Sequence, residues 1–348
     1  MTNVKIGNTW VGDDHRAFVI AEASTNHNGD LELAKDLAAA AKTSGADCVK
    51  FQTFTPSECL TPGKDFAYQS QGKSVTESEY DMFVRLAFGR DQWARLIEYC
   101  HSLGLPFLTT VQDSVDLALM LELGGLAAIK KGSDDFDFLP NLIEAARTGL
   151  PLILSKGMAS LGDVDRIVRA VAAQTDKLVV LHCVSLYPAD PKLLNIDQIP
   201  RLKHLYPKVI WGFSDHSMGT LASTIAVARG AKVIEKHFTL DHNMAGPDHW
   251  FSMDPAQMSQ LVKDIRFTEE ALGDGEILPA RGEMESRAIM RRRVVARTDL
   301  APGTILDEST VCFKRASTGA FLDHWELLDG VRLRQAKKKD EGISLVDV

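Results

Sequence analysis

Short apolar, β-branched runs alternate along the chain with longer segments in which apolar residues recur every three or four positions. The runs predict strands over 18–23, 48–54, 106–111, 127–132, 151–157, 177–184, 209–215 and 232–240. The longer segments predict helices over 31–44, 93–103, 115–123, 139–148 and 164–173, and a last one over 255–272. Several helical stretches run into glycine, as at Ser44-Gly45, Leu103-Gly104, Thr148-Gly149 and Arg229-Gly230. A residue free to take positive φ closes a final helical turn at little cost. Eight strands separated by helices predict an α/β chain closed into a parallel (β/α)₈ barrel. The competing arrangement is an open doubly wound sheet, but its nucleotide-binding form needs a glycine-rich first turn. Here that turn reads Asn26-His27-Asn28-Gly29. A hairpin over residues 4–11 is expected to plug the bottom of the barrel.

The texture changes after Leu272. Residues 273–286 are rich in Gly, Pro and charge and read as a linker, so the barrel domain is expected over 1–272 and a small β-rich domain over 287–348. A unit of that size is small for independent stability, which points to packing against the barrel or a partner subunit. Residues 61–78 are polar and contain Pro62, Gly63 and Gly72. They read as a long βα loop on the face where barrels carry their sites.

Composition narrows the function. The 348 residues include 39 Lys and Arg against 47 Asp and Glu, a net charge of −8, with no basic surplus of the kind a nucleic-acid binder needs. An anionic ligand must therefore be held by a few local cations. No apolar run is long enough to span a membrane, the N-terminal residues lack a leader pattern, and five scattered cysteines show no paired spacing. These features lead us to expect a cytoplasmic protein with reduced thiols.

Polar side chains fall late in every predicted strand. They are Glu22; Lys50 and Gln52; Thr109 and Thr110; Lys130 and Ser133; Ser155 and Lys156; His182 and Ser185; Ser214, Asp215 and His216; and Glu235, Lys236 and His237. A barrel brings those strand ends to one mouth, so the set predicts a polar site. Lys50 and Lys130 sit in apolar surroundings, and a buried ammonium needs an anion. With Thr110, Ser133, Ser155 and Ser214 they suit a phosphate or carboxylate. An internal ion pair, for instance Glu22 with Lys50, is the competing reading, and a Schiff-base lysine is another. His216 and His237 end adjacent strands, where two neutral imidazoles suit a shared divalent metal; the alternative is a pair of hydrogen-bonded structural histidines. His27 and His182 read as structural.

The segments IAEASTNHNGDLELAK (20–35), GADCVKFQTF (45–54), PFLTT (106–110), IKKGS (129–133), PLILSKGM (151–158), LHCVSLYP (181–188), GFSDHS (212–217), EKHFTLDHNMAGPDH (235–249) and VVARTDLAPGTILDESTVCFKRASTG (294–319) resemble, in order, the sialic acid synthase (N-acetylneuraminate synthase) family. The resemblance implies a barrel followed by an antifreeze-like (SAF) domain, and a homodimer in which each tail covers its partner's barrel mouth. It implies condensation of phosphoenolpyruvate with an N-acylated hexosamine aldehyde, usually N-acetylmannosamine, assisted by Mn²⁺ or Mg²⁺. By position, Lys50, Thr110, Lys130, Ser133, Ser155 and Ser214 resemble the phosphoenolpyruvate pocket, and Ser185 is expected to bind substrate, near a position where the family often has Asn or Thr. His216 and His237 resemble the metal ligands, and Glu22 the carboxylate beside the reacting carbons. Gln52, Tyr187 and Asp248 resemble sugar contacts, and Arg315 the arginine offered by the partner's tail. The sequence departs from the family pattern at Thr109-Thr110-Val111, at Lys156 and at Gly132-Ser133-Asp134-Asp135, where Asp135 stands for a sugar-contacting Glu one methylene longer. These departures leave legionaminic, pseudaminic or other surface-sugar acids as alternative products.

Overall fold

The computed structural model describes residues 2–348, which fall into two compact units that meet between Gly273 and Asp274. The first opens with an antiparallel hairpin, β1 (Asn3–Ile6) and β2 (Thr9–Gly12). There follow β3 (Phe18–Ser24), α1 (Leu31–Thr43), β4 (Cys48–Thr53), α2 (Pro56–Cys59), β5 (Asp65–Ser70), β6 (Lys73–Ser78), α3 (Glu79–Leu86) and α4 (Arg90–Ser102). The strand–helix alternation continues with β7 (Phe107–Val111), α5 (Ser114–Leu123), β8 (Leu126–Lys131), α6 (Leu139–Arg147), β9 (Leu152–Ser155) and α7 (Leu161–Ala172). It ends with β10 (Leu178–Cys183), α8 (Gln198–Leu205), β11 (Ile210–Asp215), α9 (Leu221–Ala228), β12 (Val233–His237) and α10 (Pro255–Leu272).

Strands β3, β4, β7, β8, β9, β10, β11 and β12 pair in that order, all parallel, and β12 pairs back to β3 to close the barrel. Each predicted strand is present within three residues at either end. Side chains alternate between two cores, as a pleated strand requires. One alternation packs outward under the helices, as with Val19, Val49, Phe107, Ile129, Leu154, Val180 and Phe213. The other fills the barrel axis, with Phe18, Ile20, Leu108, Ile153, Val179, Leu181 and Val233 in one cluster. Val4, Ile6 and Val11 join that inner cluster, so the N-terminal hairpin plugs the barrel as expected. The helix starts follow local chemistry; Asp30, for example, accepts from the backbone of Glu32 at 2.8 Å and caps α1.

Residues 61–78 lie between β4 and α3, as expected of a long βα segment, but carry strands of their own. Asp65–Ser70 and Lys73–Ser78 form an antiparallel hairpin. Its turn residues Gln71 and Gly72 have φ of +53° and +72°, the combination that matches the right-handed twist of paired strands.

The second unit begins with α11 (Glu283–Met290), which occupies part of the segment read as a linker. It then pairs β13 (Arg292–Ala296) with β14 (Val311–Arg315). Its own core contains Val294, Leu300, Leu306, Val311, Leu328, Leu333 and Ile343. Among the described residues, no helix is long and apolar enough to cross a membrane, and the five cysteines are unpaired.

Candidate active site

At the C-terminal end of the barrel the inner alternation changes from apolar to polar. Two residues beyond Ile20 on β3 comes Glu22, beyond Cys48 on β4 comes Lys50, and beyond Leu108 on β7 comes Thr110. Likewise Lys130 follows Ala128, Ser155 follows Ile153, Ser214 follows Gly212, and Glu235 and His237 follow Val233. All of these line one cavity of about 910 Å³. That lies at the upper end of ordinary ligand pockets, roughly 300–1,000 Å³, and leaves room for two small substrates.

Four charged groups form its floor, each almost completely buried. Lys50 Nζ lies 2.8 Å from Glu22 Oε2 and 3.9 Å from Glu235 Oε2, and Lys130 Nζ lies 3.7 Å from Glu235 Oε1. Lys50 also donates to Thr110 Oγ1 at 2.8 Å, and Lys130 to the carbonyl of Lys131 at 3.0 Å. Ser214 donates to Glu235 Oε1 at 3.0 Å; the Lys50 ammonium serves Glu22 Oε2, while Glu235 Oε2 has no hydrogen-bond donor, with Lys50 at 3.9 Å. The internal ion pair weighed from the sequence is therefore present, and it stands in the cavity floor. Burial pushes the Glu22 carboxyl up to about 7, against the pull of Lys50 and with the push of Glu235. Burial acts to lower Lys50, but Glu22 and Glu235 outweigh it and keep the ammonium charged.

Hydroxyls surround this floor. The backbone N–H of Gly157 donates to Ser133 Oγ at 2.9 Å. A Cβ on Gly157 would run into the hydroxyls of both Ser133 and Ser185, so only glycine lets the three approach. On the other side Gln52 Nε2 donates to Glu22 Oε1 at 3.0 Å and to Ser24 Oγ at 2.9 Å, and Ser24 Oγ donates to Asp248 Oδ2 at 2.5 Å.

The rings of His216 and His237 lie 5.4 Å apart, and Tyr187 covers both, at 4.1 Å and 5.8 Å between centroids. His216 Nδ1 lies 2.9 Å from the carbonyl of Val184. A carbonyl can only accept, so Nδ1 is the donor; burial acts to lower this ring, but Cys183 and the Val184 carbonyl outweigh it and raise it above the usual imidazole value. His237 Nδ1 is buried without a hydrogen-bond partner, 3.8 Å from Asp248 Oδ2. Burial, with His216 and Lys50 nearby, holds His237 well below the usual imidazole range and so neutral. Two adjacent rings, one oriented by a carbonyl and one held neutral with an orphaned nitrogen, fit a divalent cation. No third His, Cys, Asp or Glu completes a metal cluster among the described residues, so most positions on such a cation are left to water or substrate.

Residues 37–277 match the NeuB family, and residues 291–348 match the SAF domain. The chain belongs to the NeuB family. The N,N'-diacetyllegionaminic acid synthase of Legionella pneumophila is 39% identical over 314 residues, 88% of each chain. The N-acetylneuraminate-9-phosphate synthase of Homo sapiens is 34% identical over 303 residues, 85% of this chain and 82% of that one. The crystal structure of the N-acetylneuraminic acid (sialic acid) synthetase of Leptospira borgpetersenii superposes with a TM-score of 0.74 at 30% identity, covering 83% of this chain and 97% of that one.

Within this NeuB barrel, Glu22, Lys50, Gln52, Thr110, Lys130, Ser133, Ser155, Ser185, Tyr187, Ser214, His216, His237 and Asp248 all line the one cavity. Asp135 does not, and this corrects its expected place. Asp134 lines the cavity instead, while burial and the neighbouring Asp134 push the Asp135 carboxyl up to about 6 against the pull of Lys131. Arg315 is an exposed residue at the end of β14 in the second unit. Several polar strand-end residues belong to the outer face. Thr109 meets Thr53, Lys156 meets Gln198, and His182 Nε2 meets the carbonyl of Leu194 at 2.6 Å. Lys236 pairs there with Asp215 at 2.9 Å. His27 is buried against Phe51 and Phe88, away from the cavity.

Sequence reasoning placed Glu235 in the polar strand-end set without a role of its own, and did not single out Cys183, Ser24 or Gly157. Alternation signals the first three. Glu235 is two residues before His237, Cys183 two before Ser185 and Ser24 two after Glu22, each on the inner face.

Proposed function

We propose that the protein is a transferase that condenses phosphoenolpyruvate with the open-chain aldehyde of an N-acylated hexosamine, giving a nine-carbon nonulosonic (sialic-type) acid and phosphate. N-acetylmannosamine is the simplest member of that acceptor class, and the 2,4-diacetamido-trideoxyhexoses are its alternatives. The observation that carries this reading is the cavity floor, where the buried Lys50 and Lys130 stand among hydroxyls, next to two imidazoles. The relatives named above, synthases of N,N'-diacetyllegionaminic acid and N-acetylneuraminate 9-phosphate, support the same chemistry.

Lys50 and Lys130, with Thr110, Ser133, Ser155 and Ser214, bind the phosphate and carboxylate of phosphoenolpyruvate. Held charged, the Lys50 ammonium is suited to grip an anion rather than to add to a carbonyl. His216 and His237 would hold a divalent cation, Mn²⁺ or Mg²⁺, which when bound supplies Lewis-acid polarisation of the acceptor carbonyl. Gln52, Tyr187 and Asp248 orient the acceptor beside carbon 3 of the enol. That carbon forms the new C–C bond, water adds at carbon 2, and the C–O bond to phosphate breaks. Water supplies the keto oxygen, and its two protons end on the new hydroxyl and on the phosphate. Glu22, held near 7, is the group placed to take and return one of them. The two ammoniums stabilise the leaving phosphate. A homodimer, with Arg315 of the tail domain offered to the acceptor's N-acyl group, belongs to the same proposal.

Phosphate release from phosphoenolpyruvate tests the reading. It is expected only when an N-acylhexosamine and Mn²⁺ or Mg²⁺ are both present, and to be lost on chelation. Release that needs no sugar, or that survives a chelator unchanged, would contradict it.

A further inference from the structure

The cavity has an outer wall that the barrel repeat does not supply. β5 and α3 line it with Phe66 and Tyr68, whose rings stack at 5.9 Å, and with Met82 and Phe83, and Trp250 lines it after β12. The hairpin is pinned across the mouth. Gln71 Nε2 donates to the carbonyl of Asn243 at 2.9 Å, and the Gly246 N–H donates to Ser70 Oγ at 3.1 Å. Both partners belong to the loop that carries Asp248, so the hairpin's position is tied to a residue at the reacting end of the cavity.

The polar groups of this wall are already engaged with one another. Tyr68 Oη donates to Glu77 Oε1 at 2.7 Å, and Arg85 pairs with the same oxygen at 2.9 Å. Lys64 adds a cation to this part of the cavity, and its Nζ lies 2.9 Å from Glu79. The carboxylates of Asp134 and Asp248 line the same space. What the wall offers a ligand is therefore aromatic and thioether surface under a local negative charge. Methyl and acyl groups gain from contact with such a surface at about 25 cal/mol per Å² removed from water, while a phosphate would meet carboxylates.

We propose that the β5–β6 hairpin, through Phe66 and Tyr68, is the acceptor-specificity wall, selecting hexosamines whose end remote from the aldehyde is uncharged and poor in hydroxyls. The proposal rests on the synthase reading and deepens it. It predicts that a deoxygenated, doubly acylated hexosamine is preferred to N-acetylmannosamine, and that a 6-phosphorylated hexosamine is the poorest of the three.

The test is a phosphate-release assay on the full chain with Mn²⁺, comparing N-acetylmannosamine, its 6-phosphate and a 2,4-diacetamido-2,4,6-trideoxyhexose. The expected kcat/KM is highest for the trideoxy sugar, by about tenfold, the scale of one or two apolar contacts in a pocket. Phe66, at 36% exposure on a surface hairpin, tolerates replacement. Phe66→Ser should erase most of that preference, and Phe66→Lys should raise use of the 6-phosphate, with the KM for phosphoenolpyruvate unmoved in both. A preference for the 6-phosphate in the unaltered protein, or variants that slow all three sugars by one factor, would overturn the proposal and leave the synthase reading standing. No release with any sugar would overturn both.

Discussion

Two buried ion-pair systems occupy opposite faces of the same barrel strands, and they are completed differently. On the outer face, Lys236 and Asp215 pair at 2.9 Å. Asp215 Oδ1 also accepts from the backbone and hydroxyl of Ser217, at 2.8 and 2.6 Å, its Oδ2 accepts from Ser223 at 2.7 Å, and Lys236 donates to the carbonyl of Ser217. On the inner face Lys50 pairs with Glu22 at 2.8 Å, but Lys130 approaches Glu235 only to 3.7 Å, and Glu235 Oε2 has no hydrogen-bond donor, with Lys50 at 3.9 Å. Buried polar groups are normally satisfied, so the outer pair is a finished structural bond and the inner set is an unfinished one. The loosely engaged ammonium of Lys130, with only the Lys131 carbonyl at hydrogen-bond distance, marks the inner set as a place for an anion.

The comparison can be broken first on the outer pair. Lys236→Met strands Asp215 as a buried carboxylate, and loss of one partner of such a pair costs about 3–5 kcal/mol. A urea titration should show that loss; an unchanged midpoint would mean the outer pair is not structural. Next comes His182, an outer-face ring that burial and Lys156 lower to about 4 from an ordinary 6.5. Between those values the unfolded chain binds the proton that the folded protein refuses, so stability falls as pH drops from about 6.5 toward 4. His182→Gln should remove about 3 kcal/mol of that acid loss at pH 4, taking 1.36 kcal/mol per pKa unit, and urea midpoints at pH 7 and 4.5 check it. The smallest effect concerns the inner face. Gly157→Ala should push Ser133 and Ser185 aside and raise the KM for phosphoenolpyruvate about tenfold to a hundredfold while the melting temperature holds. An unchanged KM would remove Ser133 from the anion pocket.

The barrel was legible because its strands are short apolar runs with no other use, and the polar set was legible because it recurs at all eight strand ends. Its division was harder to read. Lys130 and Lys131 are neighbours, as are Glu235, Lys236 and His237, and only a two-residue period assigns them to faces. Reading late polar residues as one group merged structural Thr109 and Lys156 with the cavity. The same period would have brought Glu235 forward. The β5–β6 hairpin escaped notice because its strands are polar and largely exposed, and because Gln71-Gly72 is a less familiar pair for a tight turn than Asn-Gly. α8 contains Pro200, and α9 reads LASTIAVA, small and apolar with almost no helical contrast, so neither showed a helical period. Asp134 and Asp135 lie beyond the end of β8, where strand alternation no longer says which side chain turns inward.

Adjacent lysines on β8 offer the most direct test. Lys130 stands in the cavity floor, while Lys131 turns to the carbonyls of Val111 and Gln112 at 2.5 and 3.2 Å on the outer face. Calorimetric titration of the Mn²⁺-supplemented protein with phosphoenolpyruvate should show binding weakened about 100- to 1,000-fold by Lys130→Met, with little change in melting temperature. Lys131→Met should lower the melting temperature and leave the affinity intact. Equal affinity in the Lys130→Met protein, or the loss of affinity appearing in Lys131→Met instead, would contradict the assignment of the inner face as the anion site.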